Sequence, residues 1–327
     1  MQDTFPFKKQ IEASRFLVSG GAGFVGSNLV KVLVNAGAKQ VRVLDNLSNG
    51  RLQNLESVKT HDNFDFIEGD ISDPKTCKKA LEGIDFLSHQ AALGSVPRSL
   101  KDPISTNRAN VDGFLNMITM AREQGVKRVV YASSSSVYGD SQEMPKKEER
   151  IGKPLNAYAV SKYTNELYAS AAYLNYGQEL IGLRYFNIFG PNQSPQGPYA
   201  AVIPLFIEAL LKGQSPFING DGEQSRDFTY VENAILANVH AFFAPKESAA
   251  AEVYNVAVGE RYTLNQLFDY LKEIIGAEVA AVHREPRDGD IPHSQADISK
   301  AERLLNYQPS VKFKEGLEKT VDWFRKA

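Results

Sequence analysis

Tyr158 and Lys162 are the residues of this chain best suited to proton transfer. Four positions separate them, so on a helix they lie on one face and can interact. A phenol of ordinary pKa, about 10, is a poor base at neutral pH, but a nearby ammonium stabilises the phenolate and lowers that pKa. The spacing therefore predicts an acid–base pair, although isolated pairs of this kind are also common on solvated helix surfaces.

Four consecutive serines, Ser133 to Ser136, follow the apolar run Val129 to Ala132. The apolar run predicts a strand, and α/β sheets bind ligands at the carboxyl ends of their parallel strands. A serine hydroxyl at that edge can hydrogen-bond a substrate oxygen and share a proton with Tyr158. The alternative is that the serines form only a polar loop after the strand.

A glycine-rich loop follows the first predicted strand and opens a helix. Its spacing G-x-x-G-x-x-G allows a tight turn, close approach of the backbone to a phosphate, and close packing of helix on strand. The helix N-terminus offers free N–H groups to a pyrophosphate, and Phe24 and Val25 of the loop are also expected to contact the cofactor. The loop therefore predicts dinucleotide binding through three glycines: Gly20, Gly23 and Gly26.

Asp45 ends the second predicted strand, about 20 residues after the glycine loop. A carboxylate there binds both ribose hydroxyls and repels a 2′-phosphate, so the sequence predicts NAD rather than NADP. Arg51 could pair with a phosphate, but is interpreted as a solvated arginine at a helix start. Asp70 ends the third strand, where it either contacts the adenine amino group or caps the next helix.

The predicted strands and helices alternate along the first part of the chain. Strands are expected at 16–19, 41–44, 64–67, 85–88, 129–132 and 180–184, and helices at 28–36, 106–122, 157–176, 264–275 and 313–325. Alternation implies parallel pairing and right-handed crossovers, hence an α/β fold with a Rossmann-type doubly wound sheet. Residues 1–185 are expected to form the NAD-binding domain and residues 186–327 a smaller substrate-binding part, with the chain free to recross between them.

The composition disfavours several other functions. Lys and Arg number 37 against 39 Asp and Glu, and the net charge of −2 provides no overall basic field for nucleic acid. No apolar run approaches the roughly 18 residues of a membrane span, and the N-terminus has no apolar signal-peptide core. The single cysteine, Cys77, cannot form an intrachain disulfide, and the histidines have no ligand spacing. We therefore expect a cytoplasmic protein without a metal.

Together, the glycine loop, Asp45, Ser134, Tyr158 and Lys162 resemble the extended short-chain dehydrogenase/reductase family over nearly the whole chain. Within that family the chain is similar to bacterial UDP-N-acetylglucosamine 4-epimerases. Two further stretches carry this likeness: Leu183-Arg184-Tyr185-Phe186-Asn187, and Gly220-Asp221-Gly222 with Ser225-Arg226-Asp227-Phe228. The resemblance implies reversible, redox-neutral epimerisation through a 4-keto sugar, in which Tyr158 and Ser134 act on the sugar 4-hydroxyl and NAD receives and returns the hydride.

The resemblance also implies which residues surround the NAD cofactor. The stretch Gln90, Ala91 and Ala92 matches the strand end beside the nicotinamide, and Asn110 matches an asparagine of the helix behind it. Besides the glycine loop and Asp45, the expected contacts are Asn46, Ser48, Asp70, Ile71, Tyr158, Lys162 and Tyr185.

A UDP-sugar is the substrate that the resemblance implies. Arg226 and Arg287 are candidates for its diphosphate, because a guanidinium can form two hydrogen bonds to phosphate, and Asn187 is expected beside it. For Arg226, the alternative is a surface salt bridge with Asp227. Backbone groups of residues 217–219 are expected to hold uracil. The other expected contacts are Ser95, Ser134, Ser135, Tyr158, Ala201, Val202, Phe217, Asn219, Arg261 and Ser294.

Ser294 bears on the choice of hexose. In epimerases restricted to UDP-glucose and UDP-galactose, the matching position resembles a bulky tyrosine that fills the space an N-acetyl group needs. The smaller serine favours UDP-N-acetylglucosamine and UDP-N-acetylgalactosamine, unless Ser294 merely begins the next helix.

Differences from related families reduce the number of reactions that the sequence supports. Dehydratases and decarboxylases carry an acidic residue after the catalytic Ser or Thr, whereas Ser135 and Ser136 follow Ser134 here. Asn187 stands where a threonine is expected in UDP-glucuronate 4-epimerases, which disfavours a uronic acid without excluding it. Three alternatives remain: a UDP-glucuronate 4-epimerase, another NAD-dependent nucleotide-sugar oxidoreductase, and a non-catalytic nucleotide-binding regulator.

The long helices near 106–122 and 157–176 are expected to form a four-helix interface in a homodimer.

Overall fold

A parallel sheet of seven strands runs through the centre of the protein, in the order β11-β6-β5-β4-β1-β2-β3. The structure, a computed structural model, describes residues 6–196, 200–286 and 292–326. In chain order the strands are β1 (Arg15–Ser19), β2 (Gln40–Asp45), β3 (Phe64–Glu68), β4 (Phe86–His89), β5 (Arg128–Ser134), β6 (Leu180–Tyr185), β7 (Ile188–Phe189), β8 (Phe217–Asn219), β9 (Ser225–Arg226), β10 (Thr229–Tyr230), β11 (Val253–Val256), β12 (Tyr262–Thr263) and β13 (Val282–Arg284).

Helices cover both faces of the sheet. They are α1 (Lys8–Glu12), α2 (Phe24–Asn35), α3 (Pro74–Leu81), α4 (Val96–Lys101), α5 (Pro103–Asn107), α6 (Gly113–Glu123), α7 (Ala157–Tyr176), α8 (Val202–Leu211), α9 (Val231–Phe243), α10 (Lys246–Ala249), α11 (Leu264–Ile275), α12 (Ser299–Leu305) and α13 (Phe313–Phe324). Of those described, none is long and apolar enough to cross a membrane.

Alternation along the strands divides the buried side chains between two cores. Phe16 and Val18 of β1 belong to the core that also contains α2 and α9, whereas Leu17 belongs to the core beneath α3 and α6. Successive side chains of a strand point to opposite faces, so each central strand contributes to both cores. This burial on both faces explains why the strands are nearly continuous apolar runs.

Local signals set the ends of the helices that flank the site. Asn156 caps α7 by accepting a hydrogen bond from the Ala159 N–H at 2.9 Å, and Gly177 ends that helix in the left-handed conformation. Asp73 caps α3 by accepting from the N–H groups of Lys75 and Thr76. The alternative prediction that Asp70 caps this helix is therefore wrong.

The smaller part of the fold is assembled from short strand pairs and helices. β7 pairs with β10, β8 with β13, and β9 with β12, while α11 packs against α8 and α13. Between α10 and β12, the chain contributes β11 to the edge of the central sheet, where it pairs in parallel with β6. The sequence analysis does not predict β11, which completes the seven-stranded sheet.

Two predicted helices differ from those observed. The first begins at Phe24 rather than at residue 28, because its opening turn belongs to the glycine loop and carries no apolar stripe. The predicted helix over 106–122 is divided into α5, a π-helical turn at Arg108–Asp112, and α6. The π-helical turn contains Asn110, and such turns are frequent at functional sites.

Candidate functional site

A cleft of about 1160 Å³ opens at the carboxyl ends of the central strands. Most residues expected to bind the cofactor line it, together with part of the set expected to bind substrate. The predicted residues in its wall are Gly20, Gly23, Phe24, Val25, Gly26, Asp45, Asn46, Ser48, Asp70, Ile71, Gln90, Ala91, Ala92, Ser95, Ser134, Tyr158, Lys162, Tyr185, Asn187 and Ala201.

The glycine loop leaves no room for side chains. A Cβ on Gly20 would lie 2.6 Å from the Ala91 nitrogen, and one on Gly26 would lie 2.2 Å from the Gly20 carbonyl oxygen. Gly20 also has a φ of +69°, which favours glycine. The N–H groups of the first turn of α2 have no intrahelical acceptors and border the cleft. This bare, positively polarised backbone fits the pyrophosphate of NAD.

Asp45 is held rigidly at the end of β2. Its side chain accepts hydrogen bonds from the N–H of Ala22 at 2.9 Å and of Leu47 at 2.8 Å, one on each carboxylate oxygen, and the residue is 7% exposed. Each oxygen retains a further lone pair for a hydroxyl donor. The carboxylate is therefore placed to accept hydrogen bonds from a ribose, as the cofactor requires.

Asp70 lies beside Asn46 at the same end of the cleft. Its carboxylate accepts from the Asn46 amide at 2.9 Å and from the Ser72 N–H at 2.7 Å. Partial burial raises the pKa of Asp70, but these hydrogen bonds outweigh it and the pKa is lowered overall. Asp70 is thus an ionised hydrogen-bond acceptor facing the cleft.

Ser134, Tyr158 and Lys162 meet where β5 ends against α7. Burial raises the pKa of Tyr158, and a hydrogen bond with Ser134 opposes that effect. The Lys162 ammonium donates to the Ala132 carbonyl at 2.8 Å and lies 6.0 Å from the centre of the Tyr158 ring. Burial dominates, so the pKa of Tyr158 is raised overall, and the effect of Lys162 on the phenolate stays a prediction.

Ser136, which the sequence prediction did not assign to the site, orients Ser134. The Ser134 hydroxyl oxygen accepts from the Ser136 N–H at 3.1 Å and from the Ser136 hydroxyl at 2.9 Å. A hydroxyl has two acceptor lone pairs and one donor hydrogen. With both lone pairs engaged, the remaining Ser134 hydrogen is free for the phenol oxygen or a sugar oxygen.

Asn238 on α9 is a second residue that sequence reasoning missed. Its amide donates to the Tyr185 hydroxyl at 2.7 Å, and its carbonyl oxygen accepts from the Gln90 amide at 3.1 Å. Tyr185 in turn donates to the Gln90 carbonyl oxygen at 3.2 Å. Asn238 is fully buried in a predominantly apolar helix, and it fixes two residues of the cleft wall.

Asn110 lies behind the cleft rather than in its wall. Its side-chain oxygen accepts from the Leu93 N–H at 2.7 Å, and its amide donates to the Ser161 hydroxyl at 3.0 Å. Ser161 lies between Tyr158 and Lys162 on α7. Asn110 therefore ties the loop after β4 to the helix that carries the acid–base pair.

A loop of the smaller part closes over the glycine loop. Asn28 donates to the Pro191 carbonyl at 2.9 Å, and Asn192 donates to the Ser27 hydroxyl at 2.9 Å. Arg51, exposed at the start of a 3₁₀ turn, donates to the Gln196 side chain at 3.2 Å. These contacts join the two sides of the cleft above the expected pyrophosphate position.

The remaining substrate candidates among the described residues lie outside the cleft wall, and three of them, Arg226, Arg261 and Ser294, lie at or beside β9 and its partner β12. Arg226 in β9 is paired with Tyr262 of β12, and its guanidinium donates to the Pro292 carbonyl at 3.2 Å. Asn187 connects this group to the cleft, because its amide donates to the Asp227 carbonyl at 3.0 Å. Asp227 itself is fully buried and accepts from the N–H groups of Val258, Gly259 and Ala296.

The other candidates are placed as follows. Phe217 and Asn219 are in β8, Arg261 is exposed just before β12, Val202 begins α8, and Ser135 begins a 3₁₀ turn. The Ser294 N–H donates to the Ser225 carbonyl at 3.0 Å, beside Arg226. Because α12 begins at Ser299, the alternative that Ser294 begins the next helix is wrong. Arg287 lies outside the described residues.

The described part of the chain holds no group of three His, Cys, Asp or Glu side chains that could bind a metal ion. It combines a glycine loop at a helix N-terminus, a buried carboxylate at the end of β2 and a Ser, Tyr and Lys set, all at the carboxyl edge of a doubly wound sheet. This combination defines a dinucleotide-binding protein of the extended short-chain dehydrogenase/reductase type.

Comparison with known proteins identifies the family. Residues 16–257 match the NAD dependent epimerase/dehydratase family, and the chain belongs to this family. It is 36% identical over 311 residues to a putative UDP-glucose 4-epimerase of Methanocaldococcus jannaschii, covering 94% of this chain and 98% of that one.

Two solved structures are similar over nearly their whole length. The UDP-N-acetylglucosamine 4-epimerase of Methanobrevibacter ruminantium, in complex with UDP-N-acetylmuramic acid, has a TM-score of 0.90 and 40% identity, covering 96% of this chain and 98% of that one. The UDP-glucuronic acid 4-epimerase of Bacillus cereus, with UDP-glucuronic acid and NAD, has a TM-score of 0.88 and 29% identity, covering 95% and 99%. These likenesses confirm the expected fold, family and cofactor.

Proposed function

We propose that the protein catalyses reversible, NAD-dependent epimerisation at C4 of a UDP-hexose, with UDP-N-acetylglucosamine and UDP-N-acetylgalactosamine as the preferred pair. The observation that carries this proposal is the meeting of Ser134, Tyr158 and Lys162 in the same cleft as the glycine loop and Asp45. Bound NAD supplies an acceptor, and then a donor, for the hydrogen of C4. The reaction is therefore redox-neutral overall.

Tyr158 and Ser134 move the proton of the sugar 4-hydroxyl. The Ser134 hydrogen, left free by the two Ser136 donors, orients either the phenol oxygen or the sugar oxygen. Tyr158 takes the 4-hydroxyl proton when the 4-keto sugar forms and returns it when the sugar is reduced on its other face. The buried positive charge of Lys162 favours the phenolate form of Tyr158 during this transfer.

Epimerisation requires a firm hold on UDP and a loose hold on the hexose, because the 4-keto sugar must turn over within the site. We assign the firm hold to Arg226 and Asn187, which are joined through the backbone of Asp227. In the sequence, Ser135 and Ser136 follow Ser134 at the positions where dehydratases carry an acidic residue, so no acidic side chain follows the catalytic serine to help eliminate water from the sugar. These features support epimerisation over dehydration.

Ser294 supports an acetylated hexose as the preferred substrate. Its N–H is bonded to the Ser225 carbonyl, which places residue 294 next to the proposed diphosphate ligand Arg226. A serine occupies far less space there than a tyrosine and leaves room for a C2 N-acetyl group to turn. Close packing makes exclusion by a bulky side chain effective, so the small side chain favours the larger sugar.

We also propose that the enzyme is a homodimer joined through α7. Three exposed apolar side chains, spaced seven residues apart, form a stripe along this helix: Val160 at 50%, Leu167 at 54% and Leu174 at 78% exposure. Ile104 of α5 adds an apolar side chain that is 80% exposed. Exposed apolar side chains along one helix face are typical of protein–protein interfaces, and α7 from two copies can pair along this face.

The test is to incubate the purified enzyme separately with UDP-N-acetylglucosamine, UDP-glucose and UDP-glucuronate and to detect the C4 epimers by NMR. We expect the fastest epimer formation from UDP-N-acetylglucosamine, with no net change in NADH absorbance. A faster reaction of UDP-glucuronate would favour the uronic acid epimerase instead. NADH formation that keeps pace with turnover would contradict epimerisation and indicate a net oxidoreductase.

A further inference from the structure

Helix α7 presents three polar groups in succession to the end of β5. Tyr158, Lys162 and Glu166 are at i, i+4 and i+8, on one face of the helix. Tyr158 is hydrogen-bonded to Ser134, Lys162 donates to the Ala132 carbonyl, and Glu166 accepts from the Ser133 hydroxyl at 2.5 Å. The third contact extends the acid–base pair by one helical turn into the protein interior.

Glu166 is also one half of a buried ion pair. Arg184 of β6 donates through Nε to Oε1 at 2.9 Å and through Nη2 to Oε2 at 2.7 Å. The two side chains are only 6% and 3% exposed. Arg184 is the register partner of Ser133 in the sheet, so one carboxylate joins α7, β5 and β6. A two-pronged arginine–carboxylate pair of this kind fixes geometry as well as charge.

We propose that Glu166 is a positioning residue for the reaction, which holds the Ser133–Ser134 end of β5 against α7 and keeps Lys162 protonated by its negative charge. This proposal rests on the function proposed above. Glu166 does not touch the cleft, so it acts through Ser133 and Lys162 rather than on the sugar. A purely structural role would explain why Glu166 and Arg184 form an ion pair. It would not explain why Glu166 lies one helical turn beyond Lys162.

The proposed electrostatic role of Glu166 follows from the two effects that act on the Lys162 pKa. Burial lowers the pKa of Lys162 to about 8, and the Glu166 charge opposes that effect. An opposite charge within about 4–6 Å typically shifts a pKa by roughly 1–3 units, and Glu166 is one helical turn from Lys162. Without Glu166, Lys162 would therefore lose its proton within the physiological range, and with it the charge that favours the Tyr158 phenolate.

Burial also shifts the pKa values of other titratable groups on and near β4, β5 and β6. His89 of β4 is neutral because burial lowers its pKa to about 3, and burial raises the pKa values of Tyr131 and Tyr185 above the ordinary tyrosine range. Burial also raises the pKa of Glu148, whose carbonyl accepts from Arg184. Arg184 stays charged. Glu166 is thus the acidic group acting directly on Lys162.

Glu166→Gln tests the charge while keeping the size of the side chain. The readout is the Lys162 pKa, measured by NMR titration of carbon-13-labelled lysine side chains, which needs no turnover. We expect this pKa to fall by about one unit or more, and the alkaline limb of kcat to move to lower pH by the same amount. An unchanged Lys162 pKa would overturn the electrostatic role, even if no UDP-hexose proved to be a substrate.

Glu166→Asp and Ser133→Ala test whether Glu166 positions the Ser133–Ser134 end of β5 against α7. Both keep the negative charge and break the contact between Ser133 and residue 166, so we expect a lower kcat with KM and the Lys162 pKa unchanged. Wild-type kcat in both variants would overturn the positioning role. If Glu166→Gln does not fold, it is combined with Arg184→Met and compared with Arg184→Met alone. The Lys162 pKa is expected to be lower in the double variant, and equal values would overturn the electrostatic role.

The matched control is Glu179→Gln. Glu179 forms a similar ion pair with Arg128 at 2.6 Å, at the opposite end of β5. Loss of the Glu179 charge is expected to lower the thermal unfolding temperature without changing the Lys162 pKa or the pH dependence of kcat. An equal pKa shift in this control would mean that any weakening of β5 perturbs the site, and would refute a specific role for Glu166.

Discussion

The substitution Gly26→Ala adds one methyl group at the point where helix α2 approaches the glycine loop. The new Cβ would lie 2.2 Å from the Gly20 carbonyl oxygen and 2.8 Å from the Gly21 Cα. Both neighbours are backbone atoms, so no side chain can rotate away. The loop must therefore shift by about 1 Å to restore ordinary van der Waals separation.

The expected cost is that of overpacking, about 1–3 kcal/mol. Because the shifted backbone is the part that approaches the pyrophosphate, the cost weakens cofactor binding as well as folding. Each 1.4 kcal/mol corresponds to about a tenfold change in affinity, so NAD binding is expected to weaken roughly 5- to 150-fold. Isothermal titration calorimetry of NAD-free protein measures this change.

Gly125→Ala separates the loss of affinity from a general loss of stability. Gly125 has a φ of +70° and lies away from the cleft, with no atom within 4 Å of an added Cβ. Alanine costs about 1–2 kcal/mol in that conformation, so the unfolding temperature should fall while NAD affinity stays at the wild-type value. The reasoning is refuted if Gly26→Ala binds NAD as tightly as the wild type.

Two further substitutions test the chemistry and the hexose. Tyr158→Phe keeps the ring but removes the proton-accepting oxygen, so turnover should fall roughly 10²- to 10⁴-fold while NAD affinity measured by calorimetry is unchanged; a variant with half the wild-type rate would show that another group is the base. Ser294→Tyr should lose activity on UDP-N-acetylglucosamine and keep it on UDP-glucose in the NMR assay. Equal loss on both sugars would assign residue 294 to folding or diphosphate binding.

The nucleotide half of the fold could be predicted from the sequence because its signals are local. Apolar runs mark the central strands, and the glycine spacing marks the start of α2. By contrast, β11 is only four residues long and reaches β6 after a long excursion through the smaller part. Nothing within its own sequence indicates that partner, because strand pairing at such a separation is decided by tertiary packing.

The residues of the candidate site also fall into two groups, those that local spacing predicts and those that only packing between elements brings together. Tyr158, Lys162 and Asp45 were found from spacing along one helix or strand, which the structure preserves. Asn238 was missed because its partners Tyr185 and Gln90 lie on other elements. Glu166 follows Lys162 by one helical turn, but its contacts with Ser133 and Arg184 lie on other strands and cannot be deduced from that spacing. Side chains that orient the reactive groups depend on packing between elements, which sequence periodicity does not describe.

The position of β11 at the sheet edge has a consequence for how the chain folds during synthesis. Until residue 256 has left the ribosome, β6 presents an edge of unpaired N–H and C=O groups. Parallel pairing across so long a separation is also slow to form, because the loop must close before its contacts stabilise it. The nucleotide-binding half is therefore an incomplete folding unit until the following segment returns to cover its edge.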